Sequence, residues 1–149
     1  MPFNVESAGK FYSDANDAIL EAREKFKKYD WAIAVKSAQL CIELSVKGML
    51  KLFDIEYPPN HDVSEKLELV LKKVQGIPDH VVEAIARAKM ASRIWEPVHS
   101  ISDYGELGIS SRKLFKEIDA KAATECANDA NICLFWLLDL TRSGELKLR

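Results

Sequence analysis

The stretch WAIAVKSAQLCIELSVKGMLKLF, residues 31–53, decides the fold. Its apolar side chains Trp31, Ile33, Val35, Leu40, Cys41, Ile42, Leu44, Val46, Met49, Leu50 and Leu52 fall nearly all round a helical wheel. A helix apolar on every side belongs at the centre of a larger assembly, because no face of it gains from meeting water. Asp30 stands directly before it, where a carboxylate accepts hydrogen bonds from the unpaired amides of a first turn. Beyond it, Pro58 and Pro59 cannot continue a helix.

Upstream, Ala8, Phe11, Tyr12, Ala15, Ala18, Ile19, Ala22 and Phe26 recur at intervals of three and four, which predicts an amphipathic helix over residues 7–28. Downstream, Asp62 or Ser64 can cap a shorter helix running to Val74, and Gln75-Gly76-Ile77-Pro78 reads as the next break. A fourth helix starts near Asp79 and is expected to bury Val82, Ile85, Ala86, Met90 and Ile94 until Pro97 stops it. Residues 100–111, with Gly105 and Gly108, read as a loop. Asp119 is then expected to cap a last long helix whose inward stripe is Ala123, Cys126, Ala127, Ala130, Cys133, Leu134, Leu137 and Leu138, ended by Ser143-Gly144. No useful strand-like alternation or repeat occurs. The expectation is an all-α chain, an up-and-down bundle of four to five helices forming a single domain over residues 1–149.

Composition agrees with this and narrows the function classes. With 149 residues and 48% hydrophobic content, the chain can bury one substantial core. Its 21 Lys and Arg against 23 Asp and Glu leave a net charge of −2, so no global attraction draws it to phosphate backbones, and nucleic-acid contact must be local. No apolar run approaches the ~18 residues that cross a bilayer, and the opening MPFNVESAGK lacks a signal-peptide layout, so a cytoplasmic protein without membrane contact is expected. Cys41, Cys126 and Cys133 sit in apolar helical segments at spacings of neither a zinc site nor a disulfide framework. They read as buried thiols, and no metal or cofactor is expected.

The stretch AQLCIELSVKGMLKLFDIEYPPNHD, residues 38–62, resembles the HEPN family pattern: Ala-Gln, a glutamate four residues on (Glu43), a lysine four further (Lys47), a leucine, a short proline loop and His-Asp at His61. A second stretch, SRKLFKEIDAKAATECAND, residues 111–129, is similar to the last part of many archaeal and bacterial members. The resemblance spans roughly residues 8–140. It implies a HEPN-like bundle paired as a two-fold homodimer. Glu43 and Lys47 can form a helical ion pair of about 0.3–0.5 kcal/mol. His61 is read as structural, holding the entry of the third helix.

Arg93 and His99 enclose five residues, within the spacing of the arginine and histidine pair of HEPN ribonucleases. In such enzymes the resemblance implies that two copies of the pair meet across the dimer and cleave RNA without metal, the 2′-hydroxyl acting as nucleophile. His99 would give or take a proton and Arg93 would stabilise the phosphate. The residue after the arginine is Ile94, where the ribonucleases favour a polar one. Ile101 stands where a related toxin group carries a target tyrosine for nucleotidylation, so that role is not transferred. Trp95 can wall a nucleotide pocket, Lys89 shares a helical face with Arg93, and Tyr104 follows in the loop; these three are the candidates for nucleotide or RNA binding.

Bland readings stand beside these. Arg93 can pair with Glu96 or cap a helix end, and His80 reads as exposed. Trp31 and Trp136 read as core or dimer interface, and Arg23, Lys25, Lys27 and Lys28 complement a helix dipole. Three functions remain open: a dimeric nucleotide-binding or partner module associated with a nucleotidyltransferase, a metal-independent endoribonuclease of toxin type, and a purely structural adaptor.

Overall fold

The computed structural model describes residues 3–58, 63–97 and 115–149. Among them run five α-helices: α1 (Val5–Lys27), α2 (Trp31–Leu52), α3 (Glu68–Lys73), α4 (Asp79–Trp95) and α5 (Glu117–Arg142). A 3-10 turn, Ser64–Leu67, leads into α3. Two short strands, β1 (Val74–Gln75) and β2 (Lys147–Leu148), pair antiparallel with Val74 opposite Leu148. None of these helices is long and apolar enough to cross a membrane.

Local chemistry sets most of the ends. The Asn4 side chain accepts from the Ser7 amide at 3.2 Å and opens α1, and Asp30 accepts from the Ile33 amide at 3.3 Å and opens α2. Three helices close by the same left-handed device. After α2, the Asp54 amide donates to the Lys51 carbonyl at 3.1 Å and the Ile55 amide to Leu50 at 2.9 Å, with Asp54 at φ +55°. Tyr29, at φ +60°, serves α1 in this way, and Gly144, at φ +77°, serves α5. An L side chain in this region is strained, so Asp54→Gly is expected to raise the unfolding free energy by about 0.5–1 kcal/mol in a urea titration.

Helix α2 is the centre. It packs along α1 on one side and α5 on another, and α4 lies against α5. Its residues Val35, Ala38, Cys41, Ile42, Val46, Met49, Leu50 and Leu52, followed by Phe53, meet Ile19 of α1 and Leu134, Leu137 and Leu138 of α5 in one core. Each large aliphatic residue buried there contributes about 1.5–3 kcal/mol of transfer free energy. The closest approach is at Gly48, where a Cβ would stand 2.7 Å from Leu134 Cδ2 and 3.0 Å from the Phe11 Cβ. At the far end the tail folds back. Gly76 sits at φ +97°, and a Cβ there would lie 2.5 Å from the Glu145 carbonyl oxygen, so glycine is required on both counts, while Arg149 Nε donates to the Leu71 carbonyl at 3.1 Å.

Several expectations are corrected. Helix α2 is not enclosed on all sides among the described residues, since Lys36 and Leu40 are exposed and Glu43, Leu44 and Lys47 half-buried along one stripe. Helix α4 is turned from its expected phase: Val81, Ala84, Ile85, Ala88, Ala91, Ser92 and Trp95 point inward, while Ala86, Met90 and Ile94 point out. The small residues Ala84, Ala88 and Ala91 let the neighbouring helix come close, and that contact outweighs the larger apolar side chains on the other face. Asp119 does not precede α5; it sits in its first turn and accepts from the Lys116 amide at 2.8 Å. The third helix is split between the 3-10 turn and α3, and Ser64 opens the turn without capping it. At α4, Pro78 precedes the helix and its carbonyl accepts from Val81 and Val82 at 3.0 Å. The strand pair is an addition; two residues per strand carry too little alternation to be read.

Candidate functional site

The end of α4 carries three of the side chains singled out by spacing. Lys89 and Arg93 lie one turn apart, and both act on Glu68 at the start of α3. The Lys89 ammonium hydrogen-bonds and ion-pairs with that carboxylate, which, with smaller help from Lys72 and Arg93, holds the Glu68 carboxyl below its usual range. Lys89 is therefore engaged with its own chain. Arg93 is exposed, and among the described residues no ion pair with Glu96 forms.

Trp95 turns the other way. Its side chain is only 9% exposed, packed with the core, and its indole N–H is buried without an acceptor among the described residues. It lines neither of the two grooves described below. The expected partners His99 and Tyr104 lie outside the described residues, as does His61.

The Glu43–Lys47 pair closes at 2.8 Å on the half-buried flank of α2. Tyr57, which periodicity gave no reason to select, joins it: its ring centroid lies 6.0 Å from Lys47 Nζ and 5.6 Å from Lys51 Nζ, within cation–π range. Partial burial pushes the Tyr57 phenol above its usual pKa. The tryptophans outside this region make edge contacts. Trp31 meets Phe26 at 5.2 Å and Tyr29 at 5.6 Å, and Trp136 meets the exposed His80 at 5.1 Å.

Two grooves escaped the sequence reading. One, of about 290 Å³, runs between α1 and α5 and is lined by Arg23, Phe26, Lys27, Lys121, Thr124 and Glu125. Arg23 spans it, donating to Asn128 Oδ1 at 2.5 Å. The basic cluster ending α1 thus reaches across to another helix as well as meeting its own dipole. The second, of about 330 Å³, lies between the outward face of α4 and α5, with Met90 and Ile94 beside Cys126, Arg87 and Asp129. Correct phasing of α4 from its alanines, at 84, 88 and 91, is the signal that would have exposed it.

Cys41 and Cys133 have no nucleophilic setting. Burial pushes Cys41 and Cys133 each up to about 12, and Cys41 Sγ approaches the Ala127 carbonyl at 3.6 Å. Cys126, expected buried, is half-buried, because it sits at the edge of the α4–α5 groove. The folded chain holds the Cys41 and Cys133 protons more tightly than the unfolded chain does. Their stabilising contribution is complete below pH 9 and is lost as the pH rises toward about 12. Between pH 9 and about 12 the urea midpoint is expected to fall more steeply in wild type than in a Cys41→Ala/Cys133→Ala variant; parallel slopes would contradict the assignment. No group of three or more potential metal ligands gathers among the described residues.

Comparison with known proteins agrees with this architecture. The family model described as HEPN domain matches residues 8–138. Among solved structures, the crystal structure of TT1696 from Thermus thermophilus is similar at a TM-score of 0.58 and 18% identity, over 85% of this chain and 94% of that one. That likeness concerns the fold. No curated protein sequence matches.

Proposed function

The chain belongs to the HEPN domain family, and from that premise we propose that it works as a homodimeric module that engages a nucleotide, or a nucleotidyltransferase partner, without chemistry of its own. One observation carries this reading: of the three described side chains expected to build a site at the end of α4, Lys89 is neutralised by Glu68 and Trp95 is turned into the core. Of the three, only Arg93 is offered to a ligand. A single exposed guanidinium can hold a phosphate or lie against a base, yet it supplies no proton transfer.

The test pairs binding with cleavage. ATP titrated calorimetrically should give saturable heat, and Arg93→Ala should weaken it about tenfold, the loss of one charge-assisted contact. RNA incubated in EDTA should stay equally intact with wild type, Arg93→Ala and His99→Ala. Cleavage by wild type that both variants lose would replace this reading with the second one.

That second reading, a metal-independent endoribonuclease, is favoured by the place of Arg93: exposed in the last turn of α4, six residues ahead of His99. His99 would then act as acid or base toward the 2′-hydroxyl or the leaving oxygen, and Arg93 would hold the phosphorane's charge.

A further inference from the structure

Resting on the homodimer reading above, we propose that the outer face of α4 and α5 is where a second copy of this chain docks, with Arg87 of each copy set against Asp129 of the other. The face has an apolar centre. Met90 and Ile94, one turn apart on α4, are 56% and 55% exposed, and they border a groove of about 330 Å³ whose far wall includes half-buried Cys126 of α5. Two large apolar side chains held bare at adjacent turns gain free energy only when something covers them.

The rim identifies the occupant. Arg87 lies one turn before Met90, and Asp129 lies one turn beyond Cys126, so one cation and one carboxylate border the same groove. Both are exposed, and among the described residues neither forms an ion pair within its own chain. A two-fold interface is built from one patch meeting itself, so each charge on it must find its opposite on the same patch. A rim of one sign would repel its own copy; this one is self-complementary. Nucleic acid is disfavoured here, because Asp129 would face phosphate. An acidic or basic peptide would leave one of the two charges unmatched.

The full chain can be tested by sedimentation equilibrium, with circular dichroism confirming that each variant folds; all four positions are exposed, so the bundle should tolerate the changes. Met90→Glu with Ile94→Glu should abolish self-association. Arg87→Asp and Asp129→Arg should each weaken it about tenfold, and the two together should recover affinity to within about threefold of wild type. A wild-type dimer indifferent to the glutamates, or a double reversal no better than the singles, would overturn this surface while leaving the homodimer reading standing. A wild-type chain that remains monomeric would overturn both.

Discussion

Phe53→Ala is expected to lower the unfolding free energy by about 3–5 kcal/mol, the range for emptying an enclosed aromatic site. Phe53 follows the last turn of α2 and is wholly buried. Its ring meets Phe3 edge-on at 5.6 Å and an interplanar angle of 89°. The loss therefore combines the transfer of a ring from core to water, a cavity bordered by the helix end, and an aromatic pair of about 0.5–1.5 kcal/mol. A domain of this size is stable by about 5–15 kcal/mol, so roughly a fifth or more of its stability rests on this side chain. A urea titration followed by circular dichroism measures it: the midpoint should fall with the slope unchanged. A loss under about 1 kcal/mol would mean that the site collapses on itself, contrary to the packing described.

Gly48→Val is expected to be the second largest, at about 3 kcal/mol or slightly more. Here the damage comes from added volume. The Cβ alone would press on Leu134 Cδ2 at 2.7 Å and on the Phe11 Cβ at 3.0 Å. Leu134 can rotate its tip away, but the Phe11 Cβ is fixed to the backbone of α1, so α1 and α2 must separate. Alanine regains about 1 kcal/mol of helix propensity and should fall near neutrality. Valine adds two more methyl groups and its β-branch, with no such return. For a chain of this length a loss of about 3 kcal/mol lowers the melting temperature by about 6–12 °C. Valine melting well below both glycine and alanine is the check; a valine variant as stable as wild type would show that the helices stand further apart.

The end of α4 packs against α5, and α5 against α2, so Gly48→Val is expected to disturb the setting of Arg93 without touching it. Loss of ligand binding in such variants would report displacement rather than a direct contact.

Some of this was readable from residue order. Asp30 before a helix, Pro78 at a boundary and Gly144 after one act within a few residues of themselves, so their effects need no knowledge of the rest of the chain. The stripes of α1 and of most of α5 were equally legible, because each has one clearly apolar side and one charged side. The ion pair of Glu43 and Lys47 follows from their spacing of four.

Helix α4 shows the boundary of that kind of reasoning. Its alanines and its larger apolar residues lie on different faces, and either face satisfies helical periodicity. Which one goes inward depends on how near α5 comes, a distance set by residues dozens of positions away in the chain. Trp95 follows from that rotation: two residues after Arg93 it reads as a pocket wall, yet two steps along a helix turn a side chain by about 200°, and here they carry Trp95 into the core. Helices and their ends are thus written in local hydrogen-bond chemistry, whereas the face each helix buries, and with it the surface left for a ligand or a second copy, emerges from close packing between distant segments.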